Sequence, residues 1–377
     1  MDKIIAENKA WIDSVWEKLD KKLKIVSETS REKIPYTSEN GVHDNMAEKN
    51  ITWWTNGFWE GLMWLMYIGT KDERYRKTAE RAEEILDGAF MDYDGLYHDV
   101  GFMWHISSGV NYRLFGGNKS RLRTLYAADI LAARYNISGK FIRAWNGDMN
   151  GWVIIDSMMN LPILYWAAKE HKDDRYRFIA ENHADTLLRT HIRPDGSANH
   201  VVNLDTVTGE VIENMGGQGY EAGSSWSRGQ SWALYGYVLS YIHTGRQEYL
   251  DTAKRAAHYF IACVSETEYL PRADFRAPDE PEIIDSTAGA CAACGLIELA
   301  KQVGEFEKKL YMGAAIKILK ALEKNCCDWT DKEEAILKMG TTAYHCEDNN
   351  RHIPIIYGDY FFTEAIYKLR GNDMLFW

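Results

Sequence analysis

The sequence predicts an all-α protein, an (α/α)6 toroid in which residues 1–377 form one catalytic domain. Two patterns carry that expectation. Helices that are apolar nearly all round alternate with helices that are apolar on one face only, and short connections alternate with long ones. At 377 residues and 46% hydrophobic content, the chain can fill one large core.

The first couplet sets the pattern. Residues 54–67 (WTNGFWEGLMWLMY) are apolar on every side, as in a helix surrounded by protein. After Gly69-Thr70-Lys71-Asp72, residues 74–86 place Tyr75, Ala79, Ala82 and Leu86 on one face and charge elsewhere. The couplet recurs as 100–114 with 119–135, 157–169 with 175–189, 229–243 with 248–263, and 286–301 with 306–323. The last buried-type segment, 359–369, has no successor, and the amphipathic segment 4–23 has no predecessor. Pairing these two closes a ring of six couplets. Short echoes support a repeated helix pair: Asp72-Glu73-Arg74-Tyr75-Arg76 against Asp173-Asp174-Arg175-Tyr176-Arg177, and Tyr67-Ile68-Gly69-Thr70 against Tyr241-Ile242-His243-Thr244. Almost no convincing strand is found. Pro162 is the one irregularity, since it must either kink its inner helix or mark the true start.

Inner-to-outer connections are short (Phe115-Gly116-Gly117, Gly245-Arg246-Gln247), whereas outer-to-inner ones are long (190–225, 325–357). In a ring of antiparallel helices the long loops share one face, and long loops in compact domains are usually functional. The site is therefore expected at the N-terminal ends of the inner helices.

Composition narrows the function classes. The net charge of −11, with no basic stripe, argues against nucleic acid as a partner. No apolar run approaches the ~20 residues of a membrane span, and the charged Met1-Asp2-Lys3-Ile4-Ile5-Ala6-Glu7 start lacks the apolar core of a signal peptide. A soluble cytoplasmic protein is the expectation. The lone Cys291-Ala292-Ala293-Cys294 pair has no second pair or His partners, and HExxH and EF-hand patterns are absent. Reduced, mostly buried thiols and no metal or cofactor are expected. Fourteen Trp and 22 Tyr suit either sugar stacking or a large core.

At the inner-helix entries, four segments carry an Asp, which ordinarily caps free N–H groups. Capping is the expectation for Asp285 and Asp359. Asp156 sits in an uncharged run (Trp152-Val153-Ile154-Ile155-Asp156-Ser157-Met158-Met159-Asn160-Leu161-Pro162), where burial would raise its pKa and make it a proton donor, or where it caps a helix. Asp99 and Asp156, both near Trp and His residues, fit paired carboxylates working on a glycoside. His98 reads as a core histidine or a sugar hydrogen-bonder, and His200 as a pocket or loop residue. Gln218 sits in a Gly-rich turn that leaves backbone free to approach a ligand. Arg228, among tryptophans, needs a carboxylate or a π partner.

At these residues the chain resembles the unsaturated glucuronyl hydrolases of glycoside hydrolase family 88. The matching stretches are Trp54-Thr55-Asn56-Gly57-Phe58-Trp59, His98-Asp99-Val100-Gly101-Phe102, Ile154-Ile155-Asp156-Ser157 with Asn160-Leu161-Pro162, Trp226-Ser227-Arg228-Gly229-Gln230-Ser231-Trp232, Asp285-Ser286 with Ala293-Cys294-Gly295-Leu296, and Gly358-Asp359-Tyr360. The resemblance implies an α6/α6 barrel that hydrates the C4=C5 bond of an unsaturated uronic acid at the non-reducing end of lyase-generated oligosaccharides, releasing the uronate and a shortened sugar. It implies Asp156 as general acid/base, with Asp99 as a carboxylate partner that raises its pKa by repulsion. Trp54, His98, Trp145, His200, Gln218, Arg228, Trp232 and Tyr344 are implied pocket positions, with Arg228 meeting the substrate carboxylate. Sulfate-preferring relatives carry Ser and Lys near residues 343–356, where this chain has Glu347, Asp348, Asn349, Asn350, Arg351 and His352. Three other readings stay open. One is an unsaturated rhamnogalacturonyl hydrolase. A second is a sugar 2-epimerase, which would need two histidines at inner-helix ends where only His98 stands. The third is a non-catalytic carbohydrate-binding protein.

Overall fold

In the computed structural model, which describes residues 3–377, the two helix types become two concentric rings. Met1 and Asp2, part of the start read as leaderless, lie outside the described residues. The inner ring runs through Phe58–Thr70, the pair Val100–Trp104 and Ser108–Phe115, the 3-10 turn Ile155–Asn160 continued by Pro162–His171, and then Ser227–Thr244, Ser286–Lys301 and Ile356–Leu369. The outer ring is Glu73–Leu86, Asn118–Ala133, Asp174–Thr190, Gln247–Ser265, Glu305–Asn325 and Lys3–Thr29. Lys3–Thr29 packs between Glu305–Asn325 and Glu73–Leu86 and against Ile356–Leu369, which closes the six-couplet ring. One continuous core runs from Ile12 to Trp377. Among the described residues, no helix is long and apolar enough to cross a membrane.

The echoed fragments have a local cause. Lys71 and Lys172 end their inner helices in the left-handed conformation (φ 62° and 55°), and the next residue but one opens an outer helix. Between them stands an Asp N-cap. Asp72 accepts from the Arg74 N–H at 3.0 Å and Asp173 from the Arg175 N–H at 2.9 Å. Tyr75 and Tyr176 then turn inward as the first buried residues of their helices.

Two inner helices depart from the expected continuity. The segment expected over 100–114 breaks at 105–107, where the Ser107 hydroxyl donates to the Met103 carbonyl at 2.5 Å. The other departure answers the question about Pro162. This residue occupies the first turn of Pro162–His171, where its missing N–H costs nothing, and the residues before it form the 3-10 turn. Pro162 marks a start and not a kink.

The few strands lie outside the helix pairs, in the long loops. Trp152–Ile154, Val201–Leu204 and Val211–Met215 form a three-stranded antiparallel sheet, with Ile154 opposite Val201. These strands span three to five residues inside long loops, too short for alternation to register. The sheet matters because it delivers Asp156 and His200 side by side.

Small and amide residues hold the inner ring together. A Cβ on Gly57 would lie 2.2 Å from the Met103 carbonyl oxygen, and one on Gly101 2.7 Å from the Asn160 Cα. Asn160 Oδ1 in turn accepts the Phe102 N–H at 2.8 Å, joining the second couplet to the third beneath the site. Gly101→Ala is expected to destabilise the fold by about 1–3 kcal/mol, the usual cost of overpacking. A matching fall in the chemical-denaturation midpoint checks it; an unchanged midpoint would mean that the two segments have room to separate.

Candidate active site

The long loops wall a cavity of about 500 Å3 at the N-terminal ends of the inner helices, as loop length predicted. Trp53, Trp54, Tyr97, Trp145 and Trp226 supply its aromatic surface, and Asp99, Asp156, His98, Gln218 and Arg228 its polar one. Of the sequence-derived positions, Trp54, His98, Asp99, Trp145, Asp156, Gln218 and Arg228 therefore meet in one cavity.

Asp156 lies in the 3-10 turn that follows the first strand of the small sheet. Its Oδ1 is buried, makes no aligned hydrogen bond within the protein, and sits 3.3 Å from His200 Nε2. The tautomer of His200 follows from its other side. The Gln218 backbone N–H donates to Nδ1 at 2.9 Å, so the proton sits on Nε2 and faces Asp156. Burial pushes the Asp156 carboxyl up, but His200, His98 and Arg228 together outweigh burial and hold it below the usual carboxylate value. This corrects the expectation that burial sets the direction.

His98 is oriented the opposite way. Nδ1 meets the Ala144 carbonyl at 2.9 Å and so carries a proton, which leaves Nε2 facing Asp99 Oδ1 at 3.1 Å. Burial works against the imidazolium, yet Asp99, the Ala144 carbonyl and Asp156 raise the His98 pKa above its ordinary value. A lone pair against a carboxylate is unfavourable, and a proton shared between them is not.

Arg228, 1% exposed, stacks 4.4 Å over Trp226. It donates to Asp285 Oδ2 at 2.5 Å and to the Thr341 and Thr342 carbonyls at 2.8 and 2.7 Å. Asp285 also caps its helix, accepting the Thr287 N–H, so the capping expectation holds and the same carboxylate fixes Arg228. Asp359 caps no helix of its own. It accepts the Ile336 and Leu337 N–H groups, and burial pushes its pKa up to about 7.

Three expected pocket positions stand elsewhere. Trp232 is fully buried in the core against Phe102 and Phe361, because its helix turns it inward, and it does not line the cavity. His200 stands behind Asp156, packed at a tilt against Trp226. Tyr344 packs on Tyr220 and His345 outside the lining, while its N–H donates to the Gln218 carbonyl at 2.8 Å. Gln218 Nε2 returns a bond to the Thr342 carbonyl at 2.6 Å, so the two loops are stitched together. Asn50, Thr52 and Asp92 also line the cavity and were not anticipated. They lie in irregular loops whose only sequence signal is length.

The Gly216-Gly217-Gln218-Gly219 turn has a definite reason. Gly217 has φ +59°, and a Cβ there would fall 2.1 Å from His200 Nδ1. Gly217→Ala is expected to displace His200 and lower turnover at least ~10-fold while the fold persists. Turnover measured beside far-ultraviolet circular dichroism checks this, and full activity in a folded variant would show that His200 placement is unimportant.

Comparison with known proteins places this geometry. No family model matches the chain. It is 35% identical over 356 residues to the unsaturated glucuronyl hydrolase of Bacillus sp. (strain GL1), covering 92% of this chain and 93% of that protein. It is 32% identical over 356 residues to the unsaturated chondroitin disaccharide hydrolase of Streptococcus pyogenes serotype M1, covering 91% and 86%. A mutant unsaturated glucuronyl hydrolase from Streptococcus agalactiae, solved in complex with dGlcA-GalNAc6S, superposes with a TM-score of 0.83 at 28% identity, covering 97% of this chain and 93% of that one. With relatives of that identity matched along nearly its whole length, the chain belongs to the unsaturated glucuronyl hydrolases.

Proposed function

We propose that this enzyme hydrates the C4=C5 bond of the unsaturated uronic acid at the non-reducing end of glycosaminoglycan-type oligosaccharides, with Asp156 as general acid/base. The observation that carries the reading is the Asp156 carboxylate itself, buried in an aromatic-walled cavity with Oδ1 uncommitted and a neutral histidine at its back. The relatives' names and the bound dGlcA-GalNAc6S disaccharide support the substrate class.

The substrate ring is an enol ether conjugated to its C6 carboxylate. Asp156 delivers a proton to C4, and positive charge develops at C5 with the ring oxygen. Water then adds to C5 as the Asp156 carboxylate takes its proton. The resulting hemiketal opens to a C5 ketone and a C1 hydroxyl, and the C1 hemiacetal expels the leaving sugar. No bond at C1 is broken by the enzyme directly, so the usual inference from carboxylate spacing to retention or inversion does not apply. Arg228 supplies a fixed positive charge for the substrate carboxylate, held ready by Asp285 and two carbonyls. His98 Nε2 faces Asp99 Oδ1 at 3.1 Å on the cavity wall, and Trp54 and Trp145 offer stacking faces.

The loop that follows Thr342, whose carbonyl takes Arg228 and Gln218, is the segment that would meet the leaving sugar. Arg351 is committed to the Tyr344 and Cys346 carbonyls and to Asp348, while Glu347 and Asp348 are exposed. A rim of that charge favours an unsulfated neighbour over a sulfated one. All six cysteines are unpaired, which supports a reducing, cytoplasmic setting.

Wild-type protein is expected to abolish the ultraviolet absorbance of unsaturated chondroitin, hyaluronan or heparin disaccharides, and Asp156→Asn to lose at least ~100-fold in kcat. Unchanged absorbance with every disaccharide would refute the activity, and a near-native Asp156→Asn rate would refute the assignment. A pH dependence follows from the electrostatics. Because Asp156 must be protonated to act, kcat falls as pH rises through its pKa in the complex. The substrate carboxylate and the water it displaces both disfavour the ionised form. The alkaline limb of kcat should therefore lie above the carboxyl pKa titrated without substrate; coincident values would show that the substrate does not tune the acid.

A further inference from the structure

Behind the cavity, two histidines with no contact to the pocket grip the segment that carries Asp156. His183 and His191 are fully buried on or beside the outer helix Asp174–Thr190. The Ile142 backbone N–H donates to His183 Nδ1 at 2.9 Å, so the ring proton is on Nε2, which meets Ser157 Oγ at 2.6 Å. Ser157 Oγ passes its own proton bond to the Ile154 carbonyl at 2.6 Å. His191 Nε2 reaches the Val153 carbonyl at 3.2 Å, and the Ile155 N–H donates to the His200 carbonyl at 3.1 Å. Val153, Ile154, Ile155 and Ser157 are thus tied down through a histidine or the sheet, while Asp156 faces His200 and its carbonyl accepts from the Asn160 amide at 3.4 Å. Burial pushes the pKa of His183 well below its ordinary value and that of His191 down to about 3, so both rings act as fixed neutral donors.

The other end of His183 is as informative. Ile142 is two residues before Ala144, whose carbonyl orients His98 against Asp99. One imidazole therefore joins the turn bearing Asp156 to the segment 142–144 that aims the His98–Asp99 pair.

We propose that His183 is a positioning residue for the reaction, setting the Asp156 turn against the His98–Asp99 pair through its two opposed hydrogen bonds to Ser157 and Ile142. The inference rests on the role proposed for Asp156. It explains why a serine follows the catalytic aspartate, since only a small hydroxyl can accept from His183 and donate to Ile154 in the same turn. It also explains the histidine. The ring needs an acceptor on one edge and a donor on the other, at a fixed separation that no flexible side chain holds.

Two amides separate the two bonds. In His183→Asn the amide oxygen can still take the Ile142 N–H but nothing reaches Ser157, whereas in His183→Gln the amide nitrogen can still donate to Ser157. His183→Asn is expected to lower kcat ~10- to 100-fold, the scale of a 1 Å misplacement, with KM changed less than about threefold. His183→Gln is expected to recover most of that loss. Ser157→Ala should reproduce the His183→Asn loss, and the double variant should be no worse than either single one. Ser157→Ala also carries the test should His183→Asn fail to fold. A second readout needs no turnover: the infrared titration of the Asp156 carboxyl, isolated by subtracting Asp156→Asn, should shift upward by about half a pH unit or more in Ser157→Ala as the turn carries the carboxylate away from His200. The proposal is overturned if Gln and Asn behave alike, if the single losses multiply in the double variant, or if the carboxyl titrates as in wild type. If wild-type protein turns over no unsaturated disaccharide, the activity reading falls, and the carboxyl titration still decides the placement.

Discussion

A carboxylate buried in a largely aromatic cavity must be compensated, and the compensation of Asp156 organises much of this protein. His200, His98 and Arg228 hold its charge, and each is itself buried and needs a partner of its own. His200 takes the Gln218 N–H, which requires the Gly217 turn. His98 takes the Ala144 carbonyl, and Arg228 takes Asp285 and the carbonyls of Thr341 and Thr342. One charge thereby commits loops from five couplets to a common geometry. Removing one member of such a set leaves another buried charge uncompensated, which costs more than the lost bond itself.

A second polar network lies deep in the inner ring. Lys368 pairs with Glu298 at 2.8 Å and Glu364 at 3.2 Å, Tyr235 donates to Glu364, and the Trp377 indole N–H meets the same carboxylate. These residues come from three inner helices and from the segment beyond the last of them. Apolar helices can slide and rotate against one another at little cost, whereas a satisfied polar cluster permits one register. The aromatic packing of Trp377 on Phe361 and Phe102, and of Phe102 on Trp54, connects this region to the cavity wall. The rigid floor is what lets long loops present side chains reproducibly.

Much of the fold was legible because buried and half-buried helices differ in composition over many residues. Ser286–Lys301 and Glu305–Asn325 are told apart by their whole sequences, not by any single position. Asp72 and Asp173 repeated visibly because capping is a local interaction. The small sheet was not legible, since its strands are shorter than the window in which alternation can be counted. Trp232 was misplaced for a related reason: a motif shows that a tryptophan belongs with its neighbours but not which way its helix turns it.

The sequence by itself determined the ring of six helix pairs, the face on which the long loops gather, and the candidate pair Asp99 and Asp156. These follow from periodicity, loop length and motif, which are properties of neighbours along the chain. Only the tertiary structure decided the ionisation of Asp156, the tautomers of His98 and His200, and the commitment of Arg228 to Asp285. Those depend on donors and acceptors 18 to 114 residues apart in sequence, and burial strengthens each interaction without indicating its sign. What began as a lone aspartate in an apolar run is an acid whose strength is set by three distant neighbours.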